Sequence, residues 1–137
     1  MTRTTLGAAA LLAAFGTAAA ADHLDIMLDG ATTAGNMVTV PGVEIDMPGF
    51  LVVHAVVDGQ PVIPSSIGHT MIPAGTTMNV SVPIDSEFMA GSTYMLMLHY
   101  DTDGDGVYSF GEGMTDVDTP AMNAEGAPYT VMFQPTM

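Results

Sequence analysis

The sequence predicts an all-β fold: a single antiparallel β-sandwich of about seven to eight strands, immunoglobulin-like or cupredoxin-like in kind. Three observations carry this. Turn signals punctuate the chain densely, at Gly30 to Gly35, Pro41-Gly42, Pro48-Gly49, Asp58-Gly59, Pro73-Ala74-Gly75, Ala90-Gly91 and Gly126-Ala127-Pro128. The runs between them are short and rich in Val, Ile, Thr and Met, as strands are. No stretch beyond the first twenty-odd residues repeats its apolar positions at helical spacing.

The elements follow in order. Residues 1–21 read as a secretory signal peptide, with Arg3 as the charged start, Leu6 to Phe15 as the apolar run and Ala19-Ala20-Ala21 as the cleavage site. The run is too short and too Ala-rich for a membrane span, and no second apolar segment of spanning length follows. Residues 22–137 then form one domain, placed by export in the periplasm or outside the cell. In its first strand Leu24, Ile26 and Leu28 face inward and Asp25, Met27 and Asp29 outward. Val38 and Val40 continue into Val43, Ile45 and Met47, with Glu44 and Asp46 outward. Phe50 to Val57 is apolar on both faces and reads as a central strand that carries His54. Met78, Val80 and Val82 alternate with Thr77, Asn79 and Ser81 as a half-exposed strand. In Thr93 to Tyr100, Thr93, Met95, Met97 and His99 share one face. Tyr129 to Phe133 closes the sheet.

Charge narrows the function. The chain has 15 Asp and Glu and a single basic residue, Arg3, for a formal net charge of −14. Without Lys or Arg in residues 22–137, phosphate cannot be neutralised, so nucleic acid is excluded as a partner. Fifteen like charges repel one another, and bound cations or high salt should stabilise the fold. Cysteine is absent, which rules out disulfides, thiol chemistry and thiolate metal sites.

Two sets of side chains point to metals. Asp101, Asp103, Asp105, Gly106 and Glu112 read D-x-D-x-D-G-x5-E, the spacing of a calcium loop. Three aspartates, the Val107 carbonyl, Ser109 and a bidentate Glu112 would supply the six to eight oxygens calcium takes. The flanking segments are not helical, so the loop is expected on a β-hairpin rather than in an EF-hand. A solvated Asp/Gly turn is the competing reading. The second set is soft: His54 in the central strand, His69-Thr70-Met71 as an H-x-M pair in a loop, and Met97 with His99. Imidazole with thioether suits copper, the thioether favouring Cu(I). Against this, methionines commonly fill core gaps and buried histidines can hydrogen-bond within a core. No nucleophile elbow, H-E-x-x-H or phosphate loop is present, so no reaction is indicated.

Gly49-Phe50 with His54, Ile67-Gly68, and His99 with Asp101 to Asp105 resemble an uncharacterised family of exported β-sandwich domains. That family is frequent in halophilic archaea and marine bacteria. The H-x-M pair on a cysteine-free, Met-rich β-domain is also similar to periplasmic copper chaperones of cupredoxin-like fold, with His54 in the place of an upstream His ligand. The resemblance implies copper carriage and an exported protein that donates or accepts the metal. The expected function is thus an exported domain that binds copper through His and Met and calcium through the Asp loop. The alternative is an acidic, salt-adapted interaction domain with no transition metal.

Overall fold

The computed structural model describes residues 23–135; the segment read as a signal peptide lies outside them. Among the described residues there are nine strands and no helix. They are β1 (Asp25–Met27), β2 (Thr32–Ala34), β3 (Met37–Ile45), β4 (Gly49–Val57), β5 (Gln60–Pro61), β6 (Gly68–Ile72), β7 (Gly75–Pro83), β8 (Tyr94–Tyr100) and β9 (Thr130–Phe133). All pairings between them are antiparallel, in two sheets. The architecture is the expected β-sandwich. Strands are added at β5, at β6, where a loop was expected, and at β2, which occupies the stretch from Gly30 to Gly35, expected as a turn. Both glycines take positive φ, 98° and 60°, and so bound a short strand instead of merging into one loop.

In the first sheet β3 is central, with β7 on one flank and β1 and β2 end to end on the other. Pro41 has no N–H to give a neighbour, and it falls in the gap between the residues that pair with β1 and those that pair with β2. Opposite it on β7, Asn79 takes φ 56°. Asn tolerates that region better than most residues. Both strands change phase here, so Val38, Val40, Val43 and Ile45 are all buried. Met78 and Met47, expected to face the core, are instead 59% and 50% exposed.

In the second sheet β4 lies between β6 and β8, β9 flanks β8, and β5 pairs with the end of β4. Leu51, Val53, Tyr94, Leu96 and Leu98 face Val38, Val40, Val43 and Ile45 in the core between the sheets. The other face of β4 and β8 is also buried. Phe50, Val52 and His54 sit beside Met95, Met97 and His99 in a second apolar layer. That layer exists because β8 does not turn into a hairpin, contrary to expectation. It is followed by an irregular segment, residues 101–129, which returns to the sheet through isolated pairings such as His99 with Pro120.

Backbone packing at this layer is tight. A Cβ on Gly49 would collide with the carbonyl oxygen of His99 and lie 2.9 Å from Cδ1 of Ile45. Gly49→Ala should therefore destabilise the domain by about 1–3 kcal/mol, as overpacking does. Chemical denaturation followed by circular dichroism measures this, and an unchanged midpoint would contradict it.

Candidate metal centre

His54 and His99 are both fully buried, yet their strand positions lie far apart. His54 pairs with Met95, and His99 pairs with Phe50, four residues along the ladder. At about 3.3 Å per residue the offset is roughly 13 Å. The rings nevertheless approach to 6.2 Å between centroids, with planes 29° apart. They can do so only by leaning toward each other over the Val52–Met97 pair, which lies between them in register. Met97 is 5% exposed.

Each ring is anchored through its Nδ1. His54 Nδ1 faces two carbonyl oxygens, Val62 at 3.0 Å and Ser65 at 2.9 Å. His99 Nδ1 faces the Asp118 carbonyl at 2.6 Å. Carbonyls only accept, so Nδ1 carries the proton on both rings, and Nε2 of the neutral ring is a bare lone pair. Both Nε2 atoms are buried and have no hydrogen-bond partner. A buried acceptor left unpaired costs about 1–3 kcal/mol. Metal-binding histidines have this arrangement, the second nitrogen donating to a carbonyl and fixing the ring. Two imidazoles bound at about 2 Å on either side of one ion have their ring centres roughly 6 Å apart. Burial, with a smaller push from the neighbouring His54, lowers the His99 pKa to about 4 against the opposing Asp118 hydrogen bond. His99 is thus neutral at pH 7, the form that ligates.

The H-x-M pair lies in strand β6, not in a loop. His69 pairs with Val52 and Met71 with Phe50, so both reach the same outer face. There they part from the buried pair. The His69 ring packs on Tyr108 at 4.8 Å, and Tyr108 meets His99 edge-on at 5.2 Å. His69 itself is exposed; partial burial lowers its pKa while Asp85 opposes the shift. Met71 is 51% exposed, and its sulfur lies 3.6 Å from where a Cβ on Gly106 would be, against the Asp loop.

In that loop, carboxylate oxygens of Asp101, Asp103, Asp105 and Asp118 all lie within 4.8 Å of one another. Glu112 is not in this group; it sits exposed in the turn between Gly111 and Met114. Turn hydrogen bonds shape the loop: Gly106 N–H donates to Asp101 Oδ2 at 2.9 Å and Val107 N–H to Asp105 Oδ1 at 2.9 Å. The Ser109 hydroxyl donates to the Val107 carbonyl at 3.4 Å. Desolvation raises the Asp103 pKa, and the neighbouring Asp105 and Asp118 add to it. Asp118 is fully buried, with its carboxylate accepting from the N–H groups of Thr102 at 3.0 Å and Ser109 at 2.8 Å. The same residue therefore joins the acidic group through its side chain and holds His99 through its backbone.

Asp118, Tyr108 and Phe110, whose ring lies 4.9 Å from that of His99, were not legible as site residues. Nothing in D-V-D or Y-S-F sets them apart from the other acids and aromatics of the chain. The chain is thus an antiparallel two-sheet domain with a buried pair of singly anchored imidazoles beside a four-carboxylate loop. It belongs to the family described as Domain of unknown function (DUF7282), whose model matches residues 24–135. No curated protein and no solved structure matches it.

Proposed function

We propose that this protein is an exported metal-binding domain that carries copper as Cu(I) on His54, His99 and Met97. A hard cation such as calcium at Asp101, Asp103, Asp105 and Asp118, with the Val107 carbonyl and Ser109 nearby, has a structural role. One observation supports the copper reading above the rest: two buried, partnerless Nε2 atoms on rings 6.2 Å apart, with a buried thioether between them in register. The donor set is imidazole with thioether and contains no thiolate, which suits Cu(I). His69 and Met71 are left outside this set, since Tyr108 contacts both His69 and His99 and Met71 faces the Asp loop. Export rests on residues 1–21 alone.

The test is an anaerobic competition between the purified protein and bathocuproine disulfonate for Cu(I). The wild type should bind with Kd below about 1 μM, which corresponds to about 8 kcal/mol. His54→Gln and His99→Gln should each weaken binding at least a hundredfold and Met97→Leu about tenfold, whereas His69→Ala and Met71→Ala should change little. Failure of the wild type to retain Cu(I) would overturn the assignment in favour of an interaction domain without a transition metal, and losses confined to the His69 and Met71 variants would overturn it in favour of a copper site at the H-x-M pair.

A further inference from the structure

His54 and His99 are fully buried, but Met97 lines a depression of about 220 Å³ on the protein surface. The other walls come from the two segments that cover the outer layer: Ile63 and Pro64 from one, Phe110, Pro120 and Pro128 from the other. Thr115 supplies the one hydroxyl among the lining side chains. Ile63 is 58% exposed, and Phe110 touches the His99 ring. A larger depression nearby, about 510 Å³, is lined by Ser65, Ser66, His69 and Asp85; it reaches Tyr108 but not Met97. The protein thus presents Met97 to an apolar opening, with the His99 ring covered by Phe110 behind it.

We infer that this apolar depression is an exchange port, where a partner protein with an apolar tip, a soft sulfur ligand and a basic rim takes or delivers Cu(I). The inference rests on the copper reading above. Its chemistry follows from the surface. A partner's apolar tip can cover Ile63, Pro64, Pro120 and Pro128 while stripping water from few polar groups. The basic rim follows from charge: residues 23–135 contain no Lys or Arg, and the exposed Asp116 follows Thr115 in the chain. The handover is a ligand exchange with no change in oxidation state. The partner's sulfur bonds to Cu(I) as the Met97 sulfur leaves, and the two imidazole nitrogens then release in turn. Met97 is the natural first ligand to leave, because it alone of the three lines the opening at which the partner's sulfur arrives.

The test uses the Cu(I)-loaded full protein and two synthetic Cys-x-x-Cys peptides, one flanked by lysines and one by glutamates. Stopped-flow transfer should be at least tenfold faster to the lysine peptide at low salt, and the difference should shrink in 0.5 M salt as screening predicts. Ile63→Asp should slow transfer at least tenfold while the Cu(I) affinity against bathocuproine disulfonate stays within twofold of wild type. Equal rates for both peptides, or an Ile63→Asp protein that transfers as fast as wild type, would overturn the port while leaving the copper site standing. A wild type that sediments as a dimer, with Ile63→Asp monomeric and unimpaired in transfer, would assign the depression to a second copy of this chain instead. If the wild type holds no Cu(I), the port falls together with the reading beneath it.

Discussion

Ten millimolar calcium is expected to raise the thermal unfolding midpoint by about 8 °C. Four carboxylates meet within 4.8 Å in a chain whose described residues hold no Lys or Arg, so no side-chain cation but histidine can offset them. A hard cation that binds at a Kd of about 10⁻⁴ to 10⁻³ M and is present well above that level adds about 2 kcal/mol by mass action. For a domain near this size that corresponds to roughly 8 °C. Asp103→Ala is the cleaner probe, because Asp103 is exposed and its loss leaves the buried Asp118 hydrogen bonds intact. The variant should melt at nearly the same midpoint with and without calcium. Scanning calorimetry with and without the ion measures both; a wild type unmoved by calcium, or a variant still shifted, would remove the cation from this loop. Magnesium is the useful control, since its octahedral demand is stricter and it dehydrates reluctantly.

The metal-free protein should lose about 3 kcal/mol of stability between pH 6.5 and pH 4 through His99 alone. Its folded pKa is lowered to about 4 by burial, against 6.5 for a free imidazole. Across that window the unfolded chain takes up a proton that the folded ring refuses. The His99 contribution is therefore whole above about pH 6.5, falls as pH drops through the window, and is flat below about pH 4. Carboxylate protonation works lower, and by relieving the repulsion of a −14 chain it acts in the opposite direction. Urea titrations in chelator from pH 7.5 to 4 would separate the two. His99→Gln should flatten the curve between pH 6.5 and 5, whatever its absolute stability. A variant with the wild-type slope would place the proton uptake elsewhere.

Both expectations pass through Asp118, and its case shows where sequence reading stops. The strand pattern was legible because period-2 alternation is local: it placed Met95, Met97 and His99 on one face and Tyr94, Leu96 and Leu98 on the other, as found. Val38, Val40, Val43 and Ile45 were likewise placed inward correctly, but Met78 was not, because the change of phase comes from a positive φ at Asn79 opposite Pro41. No spacing rule contains that. The loop motif told which aspartates cluster but named Glu112 beside them, since it assumes a following helix that this chain lacks. The fourth carboxylate of the group comes instead from residue 118, whose place depends on how the covering segment folds back.

Local pattern and composition were enough for the class of fold, the acidic character, the lack of thiols and the residue types at hand to bind metal. Alternation, turn residues and composition are properties of neighbours along the chain, so they survive without coordinates. Long-range packing brings the His54 and His99 rings to 6.2 Å, leaves His69 and Met71 apart from them, and puts Asp118 rather than Glu112 in the carboxylate group. Those outcomes depend on the lean of two side chains across a pair of strands and on the path of a long irregular cover. Both are fixed by packing between segments distant in sequence, which no local pattern records.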